Sequence, residues 1–327
     1  MHVIVHGGAG GSPDEPDARQ AVLDDAATTG AATGTPIEAV EAAVRVLESS
    51  PRFNAGVGGA VQSDGVVRTD AGVMTDDRAV GAACSMPGVE HAVSVARLVM
   101  EETPHGFVSG EHAVSLAEAF GVETDVDLRT ERTREKWADL DAPDGDPREH
   151  LEWIRERYGR SDPDGRDAGE GEATRRADGS DHAGSAAPGV GDERDHDTVG
   201  AVAREGDRIA AATSTGGRWL ALAGRVGDVP QVGSGFYCCP AAGVSATGAG
   251  EDIARVTLSR RVARHVERGL DADAATTLAM AEFAELTGSS AGVIAIDADG
   301  NAGSAFNSDE MQTAIARDRT TDAGRRN

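Results

Sequence analysis

The chain has 327 residues, of which 39% are hydrophobic and only 3% aromatic, so a core sufficient for one large or two small domains must be filled mainly by alanine, valine and leucine. The formal net charge is -25, which opposes contact with nucleic-acid phosphates and with anionic membrane surfaces. Lys136 is the sole lysine among 31 basic residues, and so large an acid excess points to adaptation to very high salt, where the Debye length shrinks to ~3 Å and self-repulsion is tolerated.

In chain order, VIV at residues 3–5 reads as a buried strand running into the glycine loop HGGAGG. No leading signal peptide is expected, and no apolar run approaches membrane-spanning length. TPIEAVEAAVRVLESS reads as a helix: Thr35 caps it, Pro36 suits its first turn and Glu38 completes a capping box. Its apolar residues Ile37, Val40, Val44 and Leu47 share one face. FNAGVGGAVQSDGVVRTDAGVM follows, with Asp64-Gly65 as a hairpin signal, then GAACSM as a strand. EHAVSVARLVMEE and GEHAVSLAEAF read as helices, and Trp137, Trp153 and Tyr158 suggest short helices up to Gly159. Residues 160–195 are dominated by Gly, Asp, Ser, Ala and charge, a composition unable to bury enough apolar surface to offset ordering; a disordered, acidic linker is expected there.

The second half opens on HDTVG. TVGAVA, REGD and RIAAATS give strand, turn and strand; a glycine-rich stretch leads to ATGAGE. DIARVTLSRRVARHVERG and DADAATTLAMAEFAELTG read as helices, and AGVIAIDADGNAGSAF as a hairpin turning at Asp299-Gly300. Strands and helices come in runs and not in strict alternation, which favours packed sheets flanked by helices. Cys84, Cys238 and Cys239 form no paired CxxC and no zinc-like cluster, so a soluble cytoplasmic protein without disulfides is expected.

The start of order at Thr198 has two readings. A linker ends and a strand opens on a β-branched residue, or the chain is cut between Asp197 and Thr198 and the threonine becomes an N-terminal nucleophile. In the second case its own α-amine, of reference pKa ~7.7–8.0, serves as the base, and no histidine is needed. Thr215 in TSTGG ends the second strand of the hairpin and can lie beside Thr198. Thr247 sits among small residues just before a helix start, where backbone N–H groups can stabilise an oxyanion. GRVGD holds Arg225 and Asp228 three residues apart, either as a loop ion pair or as a clamp for the α-carboxylate and α-ammonium of an amino acid.

HGGAGG, FNAGVGGAV, HDTVGAVA, AATSTGG, GRVGDVPQVGSG and ATGAGE occur in the order of the plant-type asparaginases, or isoaspartyl peptidases, which are N-terminal nucleophile (Ntn) hydrolases. The resemblance covers roughly residues 1–122 and 196–310. It implies an α+β fold, a four-layer αββα sandwich, formed by one domain over 1–327. It implies self-cleavage at Asp197–Thr198 into an α subunit, 1–197, and a β subunit, 198–327. The implied reaction is hydrolysis of L-asparagine to aspartate and ammonia, and of β-aspartyl dipeptides, through Thr198 and without a catalytic cofactor. Thr215 resembles the residue that orients the nucleophile, and Thr247 with the Gly248 amide the oxyanion hole. Arg225, Asp228 and the Gly250 carbonyl resemble the substrate clamp, and Asn54 a residue holding the threonine. The backbone of Leu47, Glu48, Ser50, Phe53, Ala55 and Val57 resembles a loop enclosing a structural sodium ion. Relatives imply a homodimer of αβ units. The alternatives are a glycosylasparaginase-type amidase and a non-catalytic amino-acid binder. Ala249, Trp219 with Leu220, and the adjacent Cys238 and Cys239 depart from the expected pattern.

Overall fold

The computed structural model describes residues 1–158 and 198–317. The chain begins with strand β1 (His2–Gly10), so most of HGGAGG is extended and not the expected loop; a register shift between His6 and Ala9, with Gly8 at φ 108°, absorbs its glycines. Helix α1 (Pro16–Ala31) has no counterpart among the expected elements: it is rich in alanine and polar residues and carries little amphipathic signal. Helix α2 (Pro36–Glu48) is capped as its sequence indicates, with the Glu38 N–H donating to Thr35 Oγ1 at 3.4 Å. Strands β2 (Arg68–Thr75) and β3 (Val80–Pro87) follow a small bridge between Val61 and Val67 around Asp64-Gly65. Helix α3 (Ala92–Glu102), strand β4 (Phe107–Ser109) and helices α4 (Gly110–Ala119), α5 (Glu131–Ala138) and α6 (Pro147–Tyr158) complete the first half. The expected acidic linker and Asp197 lie outside the described residues.

The second half resumes with the hairpin of β5 (Val199–Glu205) and β6 (Arg208–Thr215), as its sequence indicates. The hairpin of β7 (Phe236–Cys239) and β8 (Ala242–Gly248) occupies the stretch expected only to be glycine-rich. The helix expected over DIARVTLSRRVARHVERG is two, α7 (Gly250–Val256) and α8 (Leu258–Glu267), because Thr257 adopts a left-handed φ of 51° between them. Helix α9 (Ala272–Thr287) precedes the hairpin of β9 (Ala291–Asp297) and β10 (Ala302–Phe306), and β11 (Glu310–Arg317) ends the described chain.

These strands form a seven-stranded sheet, in order β11-β1-β5-β6-β2-β3-β4, and a four-stranded sheet, β10-β9-β8-β7. Alternation within the larger sheet sorts its side chains into two cores. Val3, Val5, Ala71, Val73, Ala201 and Ala212 pack with α1, α2 and α3 on one face. Ile4, Met74, Val202, Ile209 and Ala211 pack from the other face against the smaller sheet. Beyond that sheet, Leu258 and Val262 of α8 and Ala279 and Phe283 of α9 close the same core. The order helices, sheet, sheet, helices is the four-layer αββα sandwich of the Ntn hydrolases. Both faces of the large sheet are covered, which explains strands that read as runs of alanine, glycine and valine without a polar face. The sheets meet closely: a Cβ at Gly72 would overlap the Phe236 ring.

Cys238 and Cys239 are buried in the second core, and burial pushes both thiols up; they pack and are not paired with each other. A third cluster lies over one end of the sandwich. There Trp219 and Leu220 pack with Ala60, Val61, Val67 and Leu128, and Trp137 of α5 and Trp153 of α6 lean on it.

Candidate active site

The layer between the two sheets changes character along its length. At one end it is Ile4, Met74, Val202, Ile209 and Ala211. Two to four residues further along the same strand faces stand His6, Asp70, Thr198, Thr213 and Thr215, and from the smaller sheet Ser245 and Thr247, all buried. Burying so many polar groups is tolerable only if they are hydrogen-bonded, and five of them bond in two sets, Thr198 with Thr215 and His6 with Ser245 and Thr213. The β5–β6 register pairs Val199 with Ser214 and leads Thr198 onto Thr215. Thr198 Oγ1 donates to Thr215 Oγ1 at 3.2 Å. Thr215 Oγ1 in turn donates to the Asn54 carbonyl at 3.4 Å and accepts the Gly217 N–H at 3.1 Å. With its own proton committed to Asn54, Thr215 presents a lone pair to Thr198.

Asn54 is fixed at both ends of its side chain. Its Nδ2 donates to the Gly217 carbonyl at 2.6 Å and its Oδ1 accepts the Ala60 N–H at 2.8 Å, while its carbonyl also accepts the Gly216 N–H at 2.8 Å. Thr247 is fully buried at the end of β8, and Gly248 beside it has φ 132°, open to glycine without strain. Ala249, at the mouth of α7, donates its N–H to the Ser290 carbonyl.

Arg225, Asp228 and Gly250 converge as the sequence suggests. A Cβ built on Gly250 would stand 2.7 Å from Asp228 Oδ1 and 3.0 Å from Arg225 Nη2. Asp228 is 5% exposed and, among the described residues, its Oδ2 has no hydrogen-bond partner, an orphan acceptor suited to a cation. Burial pushes its carboxyl up to about 7, although Arg225 opposes the shift. Arg225 is held through Nε and Nη2 by one oxygen of Glu251, at 2.9 and 2.8 Å.

Four further side chains, those of Asp70, His6, Ser245 and Glu48, were given no role by the sequence. Asp70, opposite Thr215 in the register of β2 and β6, accepts the Ser85 N–H at 2.7 Å; burial pushes it up to about 7. His6 Nε2 bonds Ser245 Oγ at 2.8 Å, and Ser245 bonds Thr213 Oγ1 at 2.6 Å. Burial pushes the His6 imidazole down to about 3, opposed by the Thr198 backbone nearby, although its Nδ1 closes no hydrogen bond of regular geometry. Glu48 is buried, and its Oε1 accepts Ser214 Oγ at 2.6 Å and the Val93 N–H at 3.0 Å, pinning α2 to the strand that carries Thr215. Burial raises its pKa, with His91 opposing. Inward positions of period two beside Thr198 and Thr215 are the signal by which Asp70 and Ser245 could have been found, and for His6 its place at the head of HGGAGG.

The loop from Leu47 to Val57 curls back on itself, with the Val57 N–H donating to the Glu48 carbonyl at 2.8 Å. The carbonyls of Leu47 and Ser50 also accept backbone N–H groups, at 3.2 and 3.3 Å, so three of the six expected sodium ligands keep one lone pair each. The fold of the loop is compatible with carbonyl ligation. Among the described residues no group of three or more His, Cys, Asp and Glu side chains could hold a metal ion.

A family described as asparaginase matches residues 1–324. A plant-type L-asparaginase of Pyrococcus furiosus is 35% identical over 324 residues, spanning 97% of this chain and 96% of that protein. An isoaspartyl peptidase/L-asparaginase of Danio rerio is 35% identical over 326 residues, 96% of this chain and 92% of that protein. A plant-type L-asparaginase of Pyrobaculum calidifontis is 36% identical over 320 residues, 94% of each chain. With the αββα sandwich, these full-length similarities identify the chain as a member of the asparaginase family.

Proposed function

We propose that this protein is a self-processed amidohydrolase that converts L-asparagine to L-aspartate and ammonia and also hydrolyses β-aspartyl dipeptides. The observation that carries the reading is the buried contact of Thr198 Oγ1 with Thr215 Oγ1 at 3.2 Å, beside Asp70, which pairs with Thr215 across the sheet and feels the charge of Arg225. In the precursor, Thr198 Oγ attacks the Asp197 carbonyl carbon. The acyl group passes from nitrogen to oxygen, and water hydrolyses the ester to leave an Asp197 carboxylate and a free Thr198 amine. One domain over 1–327 thereby becomes an α subunit, 1–197, and a β subunit, 198–327.

In turnover, the substrate α-carboxylate takes the guanidinium of Arg225 and its α-ammonium takes Asp228 and the Gly250 carbonyl. Thr198 Oγ attacks the side-chain carbonyl carbon while its α-amine removes the hydroxyl proton. Thr247 Oγ and the Gly248 N–H receive the oxyanion. The amine passes the proton to the departing ammonia or amino acid, and water then cleaves the β-aspartyl ester by the reverse sequence. Thr215 orients the nucleophile and Asn54 holds Thr215. No catalytic cofactor enters. The carbonyls of Leu47, Glu48, Ser50, Phe53, Ala55 and Val57 would hold a sodium ion that stiffens the loop beside Asn54, with no reaction step through it.

No helix among the described residues is long and apolar enough to cross a membrane. A cytoplasmic, salt-adapted homodimer of αβ units completes the reading; 56 acidic residues and a single lysine support the salt adaptation. The test is the intact mass of the denatured protein after incubation in molar salt, with ammonia release from asparagine measured on the same sample. Two fragments meeting between Asp197 and Thr198, absent together with turnover in Thr198→Ala, are expected. An uncut chain that releases no ammonia would refute the mechanism.

A further inference from the structure

The loop that carries Arg225 has little apolar anchorage. From Ala221 to Arg225 the one large apolar side chain, Leu222, is 37% exposed. Hydrogen bonds to the hairpin around Asp64-Gly65 hold the loop instead. The Leu220 N–H donates to the Val61 carbonyl and the Ser63 N–H to the Ala221 carbonyl, each at 2.8 Å, and the Ala223 N–H donates to Ser63 Oγ at 3.0 Å. Gln62, 2% exposed, completes the series with its side-chain amide. Its Oε1 accepts the Gly224 N–H at 2.8 Å and its Nε2 donates to the Arg225 carbonyl at 3.2 Å. One side chain thus fixes the backbone ahead of and behind the Arg225 Cα.

The Gln62 amide has one orientation. Arg68 Nη1 also donates to its Oε1, at 2.9 Å, and the same guanidinium grips Asp64 through two bonds, of 3.0 and 2.7 Å. With the amide reversed, its NH2 would face two donors and its oxygen the Arg225 carbonyl. The Gln62 backbone is fixed as well: its N–H donates to the Val66 carbonyl and its carbonyl accepts the Gly65 N–H, both at 3.0 Å. At the far end of Arg225 the guanidinium is held by Glu251, whose side chain is 50% exposed. Molar salt screens an exposed pair of that kind, with a Debye length of ~3 Å, and leaves a buried amide bond in force.

We propose that Gln62 is a positioning residue for Arg225, setting the guanidinium where it receives the substrate α-carboxylate. The inference rests on the hydrolase reading and on the clamp within it; Gln62 acts through Arg225 and not on the reacting atoms. In asparagine two saturated carbons separate the α-carboxylate from the amide carbon under attack. A displaced Arg225 therefore weakens the ground state and the transition state alike, so KM rises while kcat holds.

The test is steady-state hydrolysis of L-asparagine in molar salt by the wild type, Gln62→Met, Gln62→Glu and Ser63→Ala, each verified by mass as cut into two fragments and by a melting curve as folded. Gln62→Met keeps the reach of the side chain and removes both bonds to the loop. Its KM should rise about tenfold, the worth of two ordinary hydrogen bonds, with kcat within about twofold of wild type. Gln62→Glu keeps an oxygen for Gly224 and Arg68 and loses only the donor to the Arg225 carbonyl; its KM should rise at least about threefold, and it carries the test if Gln62→Met does not fold. Ser63→Ala removes a bond from the same loop but none from the backbone of Gly224 and Arg225, and its KM should stay within about twofold of wild type. A KM unchanged in the folded Gln62 variants, a loss confined to kcat, or an equal rise of KM in Ser63→Ala overturns the positioning role alone. A wild type that releases no ammonia from asparagine overturns the hydrolase reading, and this role with it.

Discussion

Gly250→Ala tests the substrate clamp without touching any of its charged groups. Gly250 is the first residue of α7 and has no positive φ, so alanine fits its backbone, and alanine favours a helix by about 1 kcal/mol over glycine. The new Cβ, however, would stand 2.7 Å from Asp228 Oδ1 and 3.0 Å from Arg225 Nη2. The first distance is shorter than real Cβ contacts allow, and Arg225 is already held by Glu251. Asp228 or the guanidinium must therefore give way where the substrate's charged groups are to bind. A hydrogen bond to a charged group is worth ~1.5–3 kcal/mol, so losing one should raise KM about 10- to 150-fold. The folded state should be as stable as the wild type or slightly more so, and self-cleavage should proceed, since the scissile bond does not use the clamp. KM and kcat for asparagine, with ammonia as the readout, a melting curve and a denaturing gel give the three quantities. A KM within twofold of wild type in folded, cut protein would refute the assignment of Arg225, Asp228 and Gly250 to substrate binding.

Thr215→Val should retain the fold but lower kcat by about 10- to 100-fold with little change in KM, because only the orientation of Thr198 is lost; steady-state kinetics separate the two. The Asp228 carboxyl, held near 7 by burial, must ionise to receive the substrate ammonium, and a raised acid keeps its proton up to that pH. KM for asparagine should therefore rise about tenfold as pH falls from about 8 to about 6; a flat profile would refute the ionised role of Asp228. Gly72→Ala forces a methyl group into the Phe236 ring between two closely packed sheets and should cost about 1–3 kcal/mol, visible as a lower Tm without a change in KM.

What the sequence revealed depended on contrast. The β5–β6 hairpin was legible because polar REGD separates two apolar runs, and α2 because its capping box and branched aliphatics stand out. β1 past His6 and the β7–β8 hairpin were not, because alanine, glycine and serine dominate β1 past His6 and β8 and both faces of these strands are buried, leaving no alternation to detect; β11, EMQTAIAR, carries no clear alternation either. α1 was lost for the same reason in helical form. In the site, Thr198, Thr215, Thr247, Arg225 and Asp228 were legible from their glycine settings and from family resemblance. Asp70, His6 and Glu48 were not: nothing in the local sequence sets them apart from the other polar residues of their elements, and only contacts across the sheet reveal what they face.

The strand order of the large sheet bears on what the proposed cut would do to the protein's fate. β5 and β6, which follow Thr198, lie between β1 and β2, which precede it, and β11 closes the far side of β1. The two proposed fragments would thus be interleaved within one hydrogen-bonded sheet, and neither could depart without tearing ladders. Before the cut, refolding is a first-order event in a single chain. Afterwards it requires two separate polypeptides to meet and thread their strands alternately, so its rate depends on concentration. The proposed self-cleavage would convert a reversible fold into one whose persistence is governed by its unfolding rate. Diluted, denatured mature enzyme should not recover, whereas uncut Thr198→Ala chain should.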